Sequence, residues 1–519
     1  MKRKMIMAVC MGMAVMTAVP AMNTFASTSH YADSSTLSSD SSWADWVQKW
    51  SSVASDDTKV SIAPGANETQ LNFAWYSKVE SGKDATPVVL FGKDKAHLKQ
   101  FTGTVQQVDS TLTGGISYVS NKVTVTGLEP GNNYCYTVEK NGVQSEVRSY
   151  HLSDTADTKI LLVGDPQIGA SKGQPQGGGE LAQEDGAANT AARNDSYSWN
   201  RTLNIARFAN QDLDFIISAG DQINKTGKPK EEEYAGFLNA DVLQQVPVAT
   251  TIGNHDSLNP DYSWHFNTPN QTGNGETKAG GDYYYSYGEG LFIVLNTNNY
   301  NVAEHEKTLQ QAIASDPSAK WRVVTIHQDI YGSGLDHSDT DGMILRTQLT
   351  PLFDQYNVDV VLQGHDHTYS RSKLLYSDGQ THDNYEFQML ADGSDYDWDH
   401  AFDLTTQSQI TLTPQDDVAK KGLAAFQKDN HCYTIENTEG NTVVNPKGIL
   451  YMTANSASGS KYYELIASQQ DYIAKRAQNW LPSYSVIDMT ADHFEITTYQ
   501  VTDQNQIEQM DEPFTIVKE

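Results

Sequence analysis

Cysteine is almost absent from this sequence, with three in 519 residues, and Cys10 lies in the first apolar stretch. That excludes a disulfide-scaffolded fold and a thiolate metal cage. Cys135 and Cys432 fall in segments of different character, so they either pair and staple those segments together or, the reading preferred, stand as two separate thiols. Beyond the N-terminus there is no long hydrophobic run, so no membrane span is expected. Cations are scarce as well. Only 36 Lys and Arg stand against 65 Asp and Glu, a net charge of −29. Such a surface opposes nucleic acid and anionic membranes, because attraction to phosphate backbones needs Lys and Arg. It still permits a small anionic substrate at a metal centre, where the ions carry the positive charge. Aromatics are not lacking. The 27 Tyr and 9 Trp argue against a disordered chain.

The first residues read as an export signal. Lys2, Arg3 and Lys4 precede an uncharged, mostly apolar stretch over residues 5–19, and Thr24 and Ala26 fit the small positions before a cut. Residues 1–26 are expected to be removed, leaving a secreted, extracellular protein. The alternative, a membrane anchor, asks for a longer apolar run.

Residues 27–58 form a Ser/Thr-rich linker. Trp43, Trp46 and Trp50 within it share one face of a short helix. Residues 59–153 read as β. Leu71, Phe73 and Trp75 alternate with polar neighbours, as do Tyr134, Tyr136 and Val138, and Asn141-Gly142 is a hairpin turn. Several short strands with turns between them predict a small β-sandwich.

From residue 158 to 519 the rhythm becomes α/β. Apolar runs, of the kind buried on both sheet faces, end abruptly in polar residues. Residues 160–163 run into Gly164-Asp165, and residues 215–217 approach Gly220-Asp221. Residues 246–252 run into Gly253-Asn254-His255-Asp256. Residues 323–326 run into His327, and residues 358–362 into Gly364-His365-Asp366-His367. Open α/β sheets place their sites at such strand ends. Residues 374–446 are less regular and read as an insertion. Residues 448–454 resume a buried strand, and residues 484–501 should finish the sheet.

Asp165, Asp221, His327, His365 and His367, with Asn254 as a neutral oxygen, make a mixed nitrogen and oxygen donor set. It suits borderline or hard ions such as zinc, iron or manganese. One loop His is usually structural. Five strand ends that each deliver a donor are difficult to assign to chance.

These motifs resemble those of the calcineurin-like metallophosphoesterases, and within them the purple acid phosphatase branch. The resemblance rests on Gly164-Asp165-Pro166-Gln167, Gly220-Asp221-Gln222-Ile223-Asn224, Gly253-Asn254-His255-Asp256, His327 and Gly364-His365-Asp366-His367, in that order. It implies a four-layer fold, two packed mixed β-sheets flanked by helices, behind an N-terminal fibronectin-III-like β-sandwich. It also implies two divalent or trivalent metal ions (iron, zinc or manganese). Asp221 would bridge them, Asp165 and His367 would hold the first, and Asn254, His327 and His365 the second. His255 would assist the leaving group as a general acid. Metal-bound hydroxide would attack a small phosphate monoester. A phosphodiesterase or nucleotide-pyrophosphate hydrolase would use the same centre. A surface-binding protein with a vestigial metal site is the alternative of another class, and the intact donor set argues against it.

Two positions depart from the family pattern. Gln167 stands where His is common, and it is expected to be a weak metal donor or a substrate contact. Asn224 stands where the purple branch has its iron-binding Tyr, so no tyrosinate colour is expected, and Asn224 is kept with Gln167 as a weak metal or substrate contact. In the purple branch a His in the loop after the lone His ligand meets the phosphate, so the resemblance makes His337 a candidate substrate contact, with an exposed loop His as the alternative. Tyr369 and Arg371 are candidates to line the pocket, although an Arg in such a place as Arg371 more often forms a salt bridge.

Overall fold

The computed structural model describes residues 41–56, 58–79, 86–172, 175–176, 180–181, 183, 189–335, 341–389, 396–411 and 415–519. The expected signal, residues 1–26, lies outside these residues.

The tryptophan-bearing segment forms the helix Ser41–Ala54. Its i, i+3, i+7 spacing buries Trp43, Trp46 and Trp50 together with Val53. The Trp46 indole donates to the Arg193 carbonyl at 2.8 Å, and the Trp43 ring meets Tyr197 edge-on at 5.0 Å. This helix thus belongs to the wall of the second domain.

The β-region contains two facing antiparallel sheets. One has the strands Ser61–Pro64, Gln70–Lys78, Tyr118–Thr126 and Thr104–Gln107. The other is built on Lys99–Thr102, Val88–Gly92, Asn132–Lys140 and Arg148–Leu152. Phe73 from the first meets Phe91 and Tyr136 from the second at 6.5 and 5.1 Å. The alternating residues predicted to face inward do so. Asn141 and Gly142 both take positive φ, 51° and 75°, and close the hairpin. The sandwich packs on the rest of the chain through Tyr136 O–H to Gln244 O (2.8 Å), Ser120 Oγ to Trp264 O (2.6 Å) and a stack of Tyr76 on His265 (4.4 Å). Cys135 and Cys432 are both free thiols.

Two mixed sheets form the centre of the remaining chain. In the first, Thr158–Val163, Phe215–Ser218 and Val248–Thr250 run parallel, and Ser483–Met489 and His493–Val501 continue it antiparallel. In the second, Gly290–Val294, Trp321–Thr325, Val360–Gln363 and Leu450–Thr453 run parallel, with Tyr369–Ser372 and Ile473–Ala477 beyond them. Ile160, Leu162, Phe215 and Ile217 point to the interface and meet Phe292, Val323 and Leu362. Their chain neighbours Leu161, Val163 and Ile216 point outward, under the helices Thr190–Ala209 and Glu231–Leu238. The second sheet is covered by the helices Val302–Ser315 and Asp341–Gln355 through Leu309, Leu345 and Phe353. The four layers are helix, sheet, sheet, helix, as the continuous apolar runs required. Each fully buried Phe, Leu or Ile contributes about 1.5–3 kcal/mol to this assembly.

Residues 374–446 hold more regular structure than their polar composition implied. The strands Tyr385–Met389, Tyr396–Asp403 and Ser408–Thr411 make a small sheet, and the helix Asp417–Asp429 follows. Thr442–Val444 pairs with Phe514–Val517 at the edge of the first large sheet. Leu423 and Phe426 bury their side chains with Ala401 and Ile410, a separate small core.

Candidate metal centre

Each candidate donor follows the carboxyl end of a strand. Asp165, Asp221 and Asn254 come from the first sheet, and His327, His365 and His367 from the second. The turns that present them are strained. Asp165, Gln167, Asp221, His365 and His367 adopt positive φ of 39°, 35°, 46°, 70° and 48°. A left-handed backbone is unusual for such residues and costs on the order of 1–3 kcal/mol each. Five of them at one place mark a functional site. The adjoining glycines explain the close packing. A Cβ on Gly253 would lie 2.0 Å from Asp221 Oδ1, and one on Gly220 would lie 2.2 Å from His327 Nδ1.

Asp165, Asp221 and His327 each present a ligand atom within 4.8 Å of the others. His327 Nε2 is 3.6 Å from Asp221 Oδ1, 3.0 Å from Asn254 Oδ1 and 3.2 Å from His365 Nδ1. His367 Nε2 lies 3.8 Å from Asp165 Oδ1. The backbone N–H of His365 donates to Asp165 at 3.0 Å, and that of His255 to Asp221 Oδ1 at 2.9 Å.

Three imidazoles have their tautomers fixed by main-chain carbonyls. His327 Nδ1–H donates to Ala219 O at 2.9 Å, and His367 Nδ1–H to Lys461 O at 2.8 Å. His255 Nδ1–H donates to Asn224 O. A carbonyl only accepts, so each Nε2 of a neutral ring carries its lone pair inward, the usual arrangement behind a metal-binding His. Burial, partly offset by the Asp221 charge, lowers His327 to about 4, which keeps it neutral near pH 7. Burial and then Lys461 hold His367 well below its usual range.

The carboxylates are not balanced. Burial and the charge of Asp221 push Asp165 well above the usual range. Burial opposes ionisation of Asp221 too, but His327, His255 and His365 around it prevail and hold it low. Two buried carboxylates side by side repel one another and favour a cation between them. The Gln167 Oε1 atom is also buried, and among the described residues nothing donates to it. Inward lone pairs, crowded carboxylates and an unsatisfied amide oxygen fit divalent ions bound by nitrogen and oxygen donors.

The remaining candidates divide. Asn224 contributes its backbone, with N–H donating to Glu233 Oε2 at 3.0 Å and C=O holding His255. His255 is partly exposed, with Nε2 4.0 Å from Asp221 Oδ2. His337 lies outside the described residues. Tyr369 and Arg371 do not line the pocket. Both are buried, and they bond Asp511 at 2.8 and 2.7 Å. The Asp511 carboxylate draws these two donors away from the centre.

Sequence reasoning overlooked the loop that follows Leu450–Thr453. Its Ser456 Oγ donates to Asp165 O at 2.9 Å, Ser458 Oγ donates to Pro166 O at 2.5 Å, and Lys461 O receives His367. The available signal was one more buried strand ending in small polar residues. Asp195 and Glu233 were also overlooked. Asp195 accepts from Gly169 N at 2.8 Å and Ser171 N at 3.2 Å, which fixes the loop after Gln167.

Residues 158–369 match the calcineurin-like phosphoesterase family, and residues 58–152 match the purple acid phosphatase N-terminal domain. Purple acid phosphatase 23 of Arabidopsis thaliana is 26% identical over 336 residues, which is 57% of this chain and 70% of that protein. An uncharacterised protein of Mycobacterium tuberculosis is 32% identical over 110 residues, 18% of this chain. That match spans only 21% of the mycobacterial protein's length. In fold, the chain is similar to the purple acid phosphatase isolated from yellow lupin (Lupinus luteus) seeds. The TM-score is 0.57 at 14% identity, over 89% of this chain and 75% of that one. The two matches follow one another in order, so the chain carries a calcineurin-like phosphoesterase domain behind a purple acid phosphatase N-terminal domain.

Proposed function

We propose that this chain is an exported, dinuclear metal-dependent phosphoesterase that hydrolyses phosphate monoesters. The observation that carries the reading is the buried Asp165–Asp221–His327 cluster at the strand ends. Asp221 is assigned to both ions, Asp165 and His367 to the first, and Asn254, His327 and His365 to the second. Gln167 is assigned a weak contact at the first position through its unsatisfied oxygen. Bound ions of this kind supply Lewis acidity at the phosphoryl oxygens and make water nucleophilic near neutral pH.

The chain's own residues do the positioning. His365 and His255 backbone N–H groups hold the two carboxylates in place. The Asn224 carbonyl fixes the His255 ring, so its partly exposed Nε2 is the atom offered to a departing oxygen. As a general acid His255 would act in its doubly protonated form, giving the leaving group the proton on Nε2 while Nδ1–H stays on the Asn224 carbonyl. Export is supported by the basic start, the short apolar run and the Thr24/Ala26 pattern. Among the described residues no helix is long and apolar enough to cross a membrane.

The test is to purify the chain, count bound metals, and compare an aryl phosphomonoester with an aryl phosphodiester. Wild type is expected to hydrolyse the monoester. Asp221→Ala, which removes the shared carboxylate, should lose roughly a thousandfold or more in kcat/KM together with bound metal. Equal rates for the two proteins, or no hydrolysis of either ester with any divalent ion, would sink the proposal.

A further inference from the structure

The loop after Leu450–Thr453 is tied down on both sides of the centre. Ser456, Ser458 and Ser460 bond the main chain of Asp165 and Pro166. At its far end, Leu335 N donates to Glu464 O at 2.7 Å and Ile466 N to Ser333 O at 3.0 Å. Between these anchors stands Lys461. Its carbonyl holds His367, and its ammonium lies 4.5 Å from the centroid of the Tyr463 ring. That ring meets His367 edge-on at 5.4 Å. The ammonium is thus fixed over an aromatic face beside the centre.

The other cations nearby are committed elsewhere. Arg371 pairs with Asp511 at 2.7 Å, and Lys225 with Glu232 at 3.6 Å. Arg476 donates to Ser333 Oγ and Ile466 O, and Arg346 to Ile330 O. Lys461 is half-buried and, among the described residues, has no carboxylate within ion-pair distance. Its charge nevertheless bears on Asp165, His255 and His367. In a chain of net charge −29, a cation at this rim that no described carboxylate pairs with is a local attractor for anions.

Building on the phosphoesterase reading, we infer that Lys461 is a substrate-contact residue. Its ammonium pairs with a non-bridging oxygen of the bound phosphoryl group and favours dianionic monoesters over monoanionic diesters. Tyr463 positions it. The doubly charged group gains more from a nearby cation than the singly charged one.

The test uses the full chain with metal restored and the variants Lys461→Met and Lys461→Arg. Four quantities are read: kcat/KM on an aryl phosphomonoester and on an aryl phosphodiester, calorimetric binding of inorganic phosphate, and metal per chain. Lys461→Met is expected to lose about 10–100-fold on the monoester and in phosphate affinity. The diester should change by less than about fivefold. Lys461→Arg should recover most of the loss. Metal content should hold, because His367 is held by the backbone carbonyl. Equal losses on both esters, or lowered metal content, would reduce Lys461 to a support for His367 and overturn the inference. Unchanged monoester turnover and phosphate affinity in Lys461→Met would overturn it too. A wild type inactive on both esters refutes the phosphoesterase reading instead. Phosphate affinity then decides Lys461, with equal binding by wild type and Lys461→Met counting against it.

Discussion

Asp195 offers a stability test that is independent of catalysis. It is fully buried on the helix Thr190–Ala209, with its carboxylate accepting from Gly169 and Ser171. Burial pushes it from 3.8 up to about 7. Its folded form therefore holds a proton that the unfolded chain releases near pH 4. The associated stability is fully present below pH 4 and is lost as the pH rises through 7. The slope is about 1.4 kcal/mol per pH unit, so on the order of 3 kcal/mol disappears between pH 5 and pH 7. Asp195→Asn keeps an oxygen for the two amides but cannot ionise. Urea denaturation at pH 5, 6, 7 and 8, with saturating metal, should show a variant already ahead of wild type by about 1–2 kcal/mol at pH 5. The gap should widen by roughly a further 2–3 kcal/mol by pH 7. Other groups, such as Glu233 pushed to about 8 by burial, titrate in both proteins and cancel in the difference. Parallel stability curves from pH 5 to pH 7 would refute the reasoning. So would a variant weaker at every pH, which would mean that the ionised carboxylate is required.

Two further outcomes are expected. His255→Ala should lower kcat by about 10²–10⁴-fold on a monoester with a poor leaving group, with little change in bound metal. Steady-state kinetics and metal analysis check it, and a loss of metal would make His255 a ligand instead. Trp46→Ala removes a buried indole and its bond to Arg193, and should cost about 3–5 kcal/mol in denaturant unfolding. An unchanged unfolding midpoint would mean that the helix Ser41–Ala54 is dispensable.

The donors were legible because each ends an apolar run. A parallel strand buried on both faces leaves an unmistakable stretch, and its end is where chemistry can sit. Ile160 to Val163 before Asp165, and Val360 to Leu362 before His365, follow that rule without exception. Lys461 escaped because its role depends on tertiary contacts. It reaches His367 through a backbone carbonyl, 94 residues away in sequence, and any residue type supplies a carbonyl. Asp195 and Glu233 escaped for a similar reason, since they serve amide groups of Gly169 and Asn224 that carry no side-chain signature. Arg371 was open to two readings, since a cation four residues from His367 is near in chain order, and in the fold the Asp511 carboxylate captures it as a salt-bridge partner.

The split of the donors between the two sheets has a mechanical meaning. Three side chains stand on one layer and three on the other, and Ile160, Phe215, Phe292 and Leu362 fill the seam between the layers. Ion affinity is then a calliper on the spacing of the layers. A cavity made deep in that seam, far from any donor, would register as faster metal loss before it registered as unfolding. Conversely, each ion held would clamp the layers and slow their separation in hydrogen exchange.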